Sequence, residues 1–303
     1  MDPDTDLARS ARHLLVHKLN WRPDTVPLML AATLLWFASV GGFLLAVRHL
    51  VGLLYTGPGW VPHAVGLALG VALLGGSAGH TDSLYPASGP MRWFLYHYDL
   101  PQACVFAAGL VGVVGRRGWL WAMFPIAAYS KETSALLIVA YMVVPVAYHW
   151  RWKAVGVAGL VAIFTAVRLF VRSRFPDLPK DDFYYPLRNL ELVVAHGGLF
   201  QSWWLPVYAV FGLAVLRQWG RFPVELRWLL VLVPLEVGAC FVKGWLEERR
   251  AYYELLPVVG ILSIQTVLHE SRLGWLMRSR TDTDTPPVRP DASGLYPVPH
   301  TAA

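Results

Sequence analysis

Three short polar stretches of this 303-residue chain carry carboxylates at the edges of apolar runs, two of them beside cations. Tyr98-Asp99 precede one apolar run. Lys131-Glu132 are the only charged residues between Trp119 and Tyr148, a run bracketed by Arg117 and Arg151. Glu247-Glu248-Arg249-Arg250, with Tyr252, Tyr253 and Glu254, open a late run. At a membrane surface such a set suits an anionic lipid head. Lys131, Arg249 and Arg250 are candidates to hold a phosphate, arginine in bidentate fashion, with Tyr98 and Tyr252 beside them. Asp99, Glu132 and Glu247 are the candidate catalytic carboxylates, as a general base on an acceptor hydroxyl; a carboxylate there is also a possible ligand for a divalent metal. No residue is singled out as a metal ligand, and no cofactor is readable. Two plainer readings stand beside this. Lys131-Glu132 is also an ordinary turn outside the membrane, and Glu-Glu-Arg-Arg at a helix start is also a solvated cap whose acids the helix dipole favours.

The elements that must position these residues follow from composition. The chain is 55% apolar and 15% charged, with mean hydropathy +0.43. A soluble domain averages about 25% charged residues. The expected fold is all-α, a polytopic transmembrane helical bundle of about nine helices, some short or broken. The net charge of +6 does not point to nucleic acid, because Lys and Arg gather between apolar runs as they do in cytoplasmic loops. Cys104 and Cys240 lie inside apolar runs without metal-ligand spacing, so neither a disulfide framework nor a zinc site is expected. Trp60, Trp119, Trp121, Trp150, Trp152, Trp203, Trp204, Trp228 and Trp245 sit near run ends, which fits an interfacial belt. No Walker loop, Rossmann glycine pattern, His-Glu-x-x-His or Gly-x-Ser-x-Gly occurs.

Taken in order, residues 1–25 are polar and lack a signal-peptide h-region; Leu7, Ala11, Leu14, Leu15 and Leu19 would share one face of a surface-lying helix. A transmembrane helical domain covers 26–270. Its apolar runs are Val26–Val47, stopped by Arg48-His49; Trp60–Ala78, with His63 read as a packed, hydrogen-bonded residue; Pro101–Gly115; two short helices, Trp119–Ser130 and Thr133–Tyr148, meeting at the charged pair; Ala154–Val171, with Arg168 able to snorkel; Leu199–Leu216; Trp228–Val242, with Glu236 buried; and Leu255–Leu268. Residues 172–198 form a long loop, and 281–303 a disordered tail. If the runs alternate, the arginines at 116–117, 151, 217–227 and 272–280 share one face, which the positive-inside rule makes cytoplasmic. Lys131-Glu132, the 172–198 loop and Glu247–Glu254 then lie outside, as does the N-terminus.

"YDLPQ" at Tyr98–Gln102, "SKETSALL" at Ser130–Leu137 and "EERRAYYELLPVV" at Glu247–Val259 resemble bacterial multi-spanning proteins of the GT-C glycosyltransferase superfamily, over roughly Val26 to Leu268. The resemblance implies a polyprenyl-phosphate-linked sugar donor, an extracytoplasmic site and residence in the bacterial cytoplasmic membrane. It places the family's Lys-Glu-Thr-like break on Lys131, Glu132 and Thr133, and its Arg-Tyr-Pro pattern on Arg250, Tyr252 and Pro257. Such enzymes typically carry a catalytic acid in a large external loop after their first membrane helix. Here no helix precedes residues 1–25, and Asp24 falls where the end of that loop would be. The chain therefore reads as an N-terminally shortened member or one that has lost catalysis. The alternatives are a transporter or flippase-like protein, with Glu236 and Arg168 lining a path, or a membrane scaffold. Transporters often show paired broken helices and internal repeats; a single break and no repeat favour the glycosyltransferase-like reading.

Overall fold

The structure, a computed structural model, describes residues 26–78, 99–145, 150–175, 204–243 and 249–280, with 187 and 190 singly. Among these the protein is mostly helical. In chain order the helices are α1 (Val26–Leu54), α2 (Val61–Ala78), α3 (Asp99–Val114), α4 (Leu120–Ser130), α5 (Ala135–Val143), α6 (Trp150–Arg174), α7 (Trp204–Arg217), α8 (Val224–Leu229), α9 (Leu232–Lys243) and α10 (Leu256–Glu270). Short 3-10 turns occur at Glu132–Ser134, Trp219–Arg221, Arg249–Leu255 and Gly274–Leu276. Strands β1 (Tyr55–Thr56) and β2 (Arg278–Ser279) pair antiparallel, Tyr55 opposite Ser279 and Thr56 opposite Arg278.

Two helices are long and apolar enough to cross a membrane, Thr33–Leu54 within α1 and Trp150–Arg174. The other apolar helices are shorter. Both long helices keep large apolar side chains on the outside: Leu34 and Leu45 on α1, and Trp150, Trp152, Leu169 and Phe170 on α6. The core lies between α1, α2 and α3, where Phe43, Leu50, Leu73, Phe106 and Leu110 are fully buried, and continues through Phe124, Leu137, Leu160 and Ile261 into α4, α5, α6 and α10. Close approach of α3 and α5 needs a residue without a side chain. A Cβ on Gly109 would stand 2.6 Å from a methyl carbon of Leu137, the small-residue contact that lets apolar helices pack by dispersion.

One end of the molecule collects arginines. Helix α3 closes with Arg116 in the left-handed region (φ 53°), and Arg117 N–H bonds the Gly112 carbonyl at 2.9 Å; α10 closes the same way, with Arg272 at φ 63° and Leu273 N–H on Leu268 O at 2.7 Å. These are αL terminations in which an orphan carbonyl is satisfied, here formed by arginine in place of glycine. At the same end Tyr55 OH donates to Gln265 Oε1, and Gln265 Nε2 donates to the Arg221 carbonyl at 3.2 Å. Gln218 Nε2 bonds Glu270 Oε1 at 2.6 Å, and the β1–β2 pair ties the α1–α2 connection to the chain's last described residues.

Several expectations change. Arg48-His49 do not end α1, which continues to Leu54. Both are exposed, and a charged residue on the outer face keeps its backbone in the helix; the turn comes at Gly57-Pro58. His63 is exposed as well, not packed. The Trp228–Val242 run is two helices, α8 and α9, with a turn at Leu230-Val231. Pro234 explains this: it lacks an N–H and fits only the first turn of a new helix. Arg172 and Arg174, read as loop, are the last turn of α6. Trp60, Trp119, Trp121, Trp150, Trp152 and Trp228 are exposed; the side chains of Trp203, Trp204 and Trp245 lie outside the described residues, as do the 1–25 segment and its Asp24, most of the 172–198 loop and the 281–303 tail.

Candidate functional site

The site forms where the chain leaves α4. Lys131 is extended (φ −158°, ψ 148°), its N–H bonding the Ala127 carbonyl at 3.1 Å. The helix restarts at once because Ser134, fully buried, folds back on the Lys131 carbonyl with both its hydroxyl (2.8 Å) and its N–H (3.3 Å). This local cap fixes a break with an extended lysine between two apolar helices. The extended backbone turns the Lys131 side chain into the protein, not along the helix surface.

There its ammonium lies 2.9 Å from Glu254 Oε1 and 3.5 Å from Asp99 Oδ1. Glu254 is 1% exposed, Asp99 4% and Lys131 18%. Asp99 stands in the first turn of α3, and Glu254 lies one residue before the end of the 3-10 turn that leads into α10. Both carboxylates thus face helix N-termini, whose unpaired N–H groups favour negative charge. Thr133 Oγ1 donates to Glu254 Oε1 at 2.7 Å, so that oxygen takes two hydrogen bonds. Glu254 Oε2 is buried with no hydrogen-bond partner among the described residues. Burial works against the Lys131 charge, but Glu254 and then Asp99 outweigh it and hold the ammonium above the ordinary lysine value. Beside the cluster, Gln102 is fully buried and its Oε1 accepts a hydrogen bond from Ser130. Glu236 of α9, 1% exposed, lies near enough to act electrostatically on Lys131.

Lys131 and Glu132 are therefore not partners of each other. Glu132 is 67% exposed and pairs with Arg168 of α6. Successive residues leaving an extended position into a 3-10 turn point in different directions, so adjacency in sequence did not translate into contact. Of the expected site residues the structure brings together Asp99 and Lys131, with Glu132 at the outer edge. Tyr252 is half-buried against the core and hydrogen-bonded to Cys240. Arg249 and Arg250 belong to the 3-10 turn of Glu254, but their side chains lie outside the described residues, as do Tyr98 and Glu247.

Glu254 is the residue that a search for candidate carboxylates undervalues. Its signal is readable afterwards: it is the last acid before Leu255-Leu256-Pro257, with no charged residue behind it to hold it in water. What the cluster can do is limited by its balance. One cation faces two carboxylates, with Glu236 nearby, so Lys131 is already neutralised and a phosphate would have to displace a carboxylate to reach it. Glu254 has spare capacity, since its second oxygen is buried without a hydrogen bond among the described residues and can accept a proton; Asp99 Oδ2 is likewise buried without one. Compared with known proteins, the chain matches no family profile, no curated protein and no solved structure.

Proposed function

We propose that this chain is a multi-pass protein of the bacterial cytoplasmic membrane, glycosyltransferase-like, that uses a polyprenyl-phosphate-linked sugar on the extracytoplasmic face. The observation that carries the reading is the meeting of Asp99, Lys131, Thr133 and Glu254 at one helix break, from three stretches far apart in sequence. The outward apolar faces of α1 and α6, and exposed tryptophans near the arginine-rich end, suit hydrocarbon and interface respectively. With the arginine-rich end inside, the cluster faces the outer leaflet. In this reading Glu254 accepts the proton of an acceptor hydroxyl. The hydroxyl oxygen bonds to the anomeric carbon, the carbon–oxygen bond to phosphate breaks, and polyprenyl phosphate leaves. Lys131 and Thr133 position Glu254, and Asp99 shares the lysine. Arg249 and Arg250, beside Glu254 in the chain, are the phosphate-binding candidates.

The test is turnover of polyprenyl-phosphate hexoses, radiolabelled in the sugar, by purified protein in liposomes. Label should leave the donor. Glu254→Gln should slow it by about 100-fold or more, the scale of a lost general base, and Glu132→Gln by no more than a few-fold. No turnover of any donor, or full turnover by Glu254→Gln, would sink the reading.

A second reading is kept by one observation, the nearness of a third buried carboxylate, Glu236, to the lysine. A buried surplus of carboxylates over cations is an arrangement that proton-coupled transporters use. Acid-driven uptake into liposomes that fails in Glu236→Gln, without sugar turnover, would favour it.

A further inference from the structure

A groove of about 800 Å³ opens at the arginine-rich end, away from the Lys131 cluster. It runs along one face of α1: Gly42, Leu45, Ala46, His49, Gly52 and Leu53 follow the 3-4 spacing of a helical stripe. Eleven residue steps of α-helix make it about 17 Å long, close to the roughly 15 Å depth of one leaflet's hydrocarbon. Its other walls are Cys104, Ala108 and Val111 of α3, and Pro62 and His63 of α2. The groove is tapered. A Cβ on Gly42 would meet Cys104 Sγ at 2.6 Å, whereas one on Gly52 or Gly59 would meet nothing within 4 Å.

Its chemistry is polarised in the same direction. The Gly42–Ala46 end is apolar. Toward the wide end stand Arg48, His49, His63 and Arg280, with Trp119 beside them, and no aspartate or glutamate lines the groove. Arg48, His49 and His63 have no ion-pair partner among the described residues. An apolar slot one leaflet deep, ending in the Arg48 guanidinium, two imidazoles that can donate hydrogen bonds and an interfacial tryptophan, is complementary to an amphiphile with an anionic head.

We infer that this groove binds an anionic phospholipid of the leaflet at the arginine-rich end, its acyl chain along α1 and its headgroup phosphate on Arg48, His49 and His63. The inference rests on the membrane reading above, and not on sugar transfer. The site is separate from the Lys131 cluster, so a lipid here would act as a structural or regulatory ligand.

The experiment measures binding of tail-labelled phosphatidylglycerol and phosphatidylcholine to purified protein in detergent micelles, by fluorescence transfer from tryptophan. The phosphatidylglycerol probe should bind about fivefold tighter or more, the scale of one basic residue acting on an anionic head. Arg48→Gln should remove most of that preference, and Arg48→Gln/His63→Gln all of it. Arg117→Gln, a neighbouring exposed arginine that does not line the groove, should leave it within twofold. Gly52→Phe, which fills the groove where a side chain meets nothing, should abolish binding while the protein remains folded and elutes as wild type. Equal binding of the two lipids, equal loss in Arg48→Gln and Arg117→Gln, or unchanged binding in Gly52→Phe would each overturn the inference. Displacement of the probe by inorganic phosphate at millimolar concentration would reassign the site to a free anion and overturn the lipid. Recovery of the chain from cells without detergent would instead refute the membrane reading beneath it.

Discussion

Replacing Lys131 with methionine keeps the length of the side chain and removes its charge. The wild-type ammonium faces Glu254 at 2.9 Å and Asp99 at 3.5 Å. At an effective dielectric of about 20 these pairs are worth roughly 6 and 5 kcal/mol of Coulomb attraction before desolvation is subtracted. Desolvation of three charged groups cancels much of this, and breaking a buried pair by removing one partner costs about 3–5 kcal/mol. At about 2–4 °C per kcal/mol, Lys131→Met should lower the melting temperature in detergent by roughly 6–20 °C. The sharper prediction concerns sign. Glu254→Gln alone should destabilise the protein, by about 1–3 kcal/mol, because it weakens a charged hydrogen bond inside the protein. In the Lys131→Met background the same change should stabilise, because Glu254 is then a buried anion with no cation. Thermal unfolding of the wild type, both single variants and the double variant, followed by intrinsic fluorescence, measures this. A Glu254→Gln effect of the same sign and size in both backgrounds would show that the two residues do not share one electrostatic site. The exposed Glu132–Arg168 pair is the internal contrast. Glu132→Gln should cost about 0–1 kcal/mol.

Two further outcomes follow from the same geometry. In the orientation proposed above, cysteines introduced at Ser173, at the C-terminal end of α6, and at Glu248 should react with an impermeant reagent from outside intact cells, and one at Gly118 should not; the reverse pattern would overturn that orientation and the proposed location of the site. Glu236, 1% exposed, should tolerate Gln far better than Lys, because Gln keeps hydrogen bonding without adding a buried charge; equal yields of the two variants in membranes would show that the residue meets water.

The positions of the helices are written in the chain. The long apolar runs are mostly helical where they are described, because a backbone surrounded by apolar side chains satisfies its own hydrogen bonds most completely as a helix. The break at Lys131 is equally legible, since charged residues in the middle of such a run need a polar surrounding. The ends of helices were less so. Periodicity cannot weigh an exposed Arg48, which lets α1 continue, against Pro234, which divides α8 from α9, unless the direction each residue faces is known. Partners were not legible at all. The sequence places Glu132 next to Lys131, yet the lysine is neutralised by Asp99 and Glu254, and Glu132 goes to Arg168. Local pattern records which faces are apolar, because that depends on a residue and its near neighbours. Which carboxylate reaches a given cation depends on how three helix ends pack, and that is decided by contacts such as Gly109 on Leu137, between elements far apart in the chain.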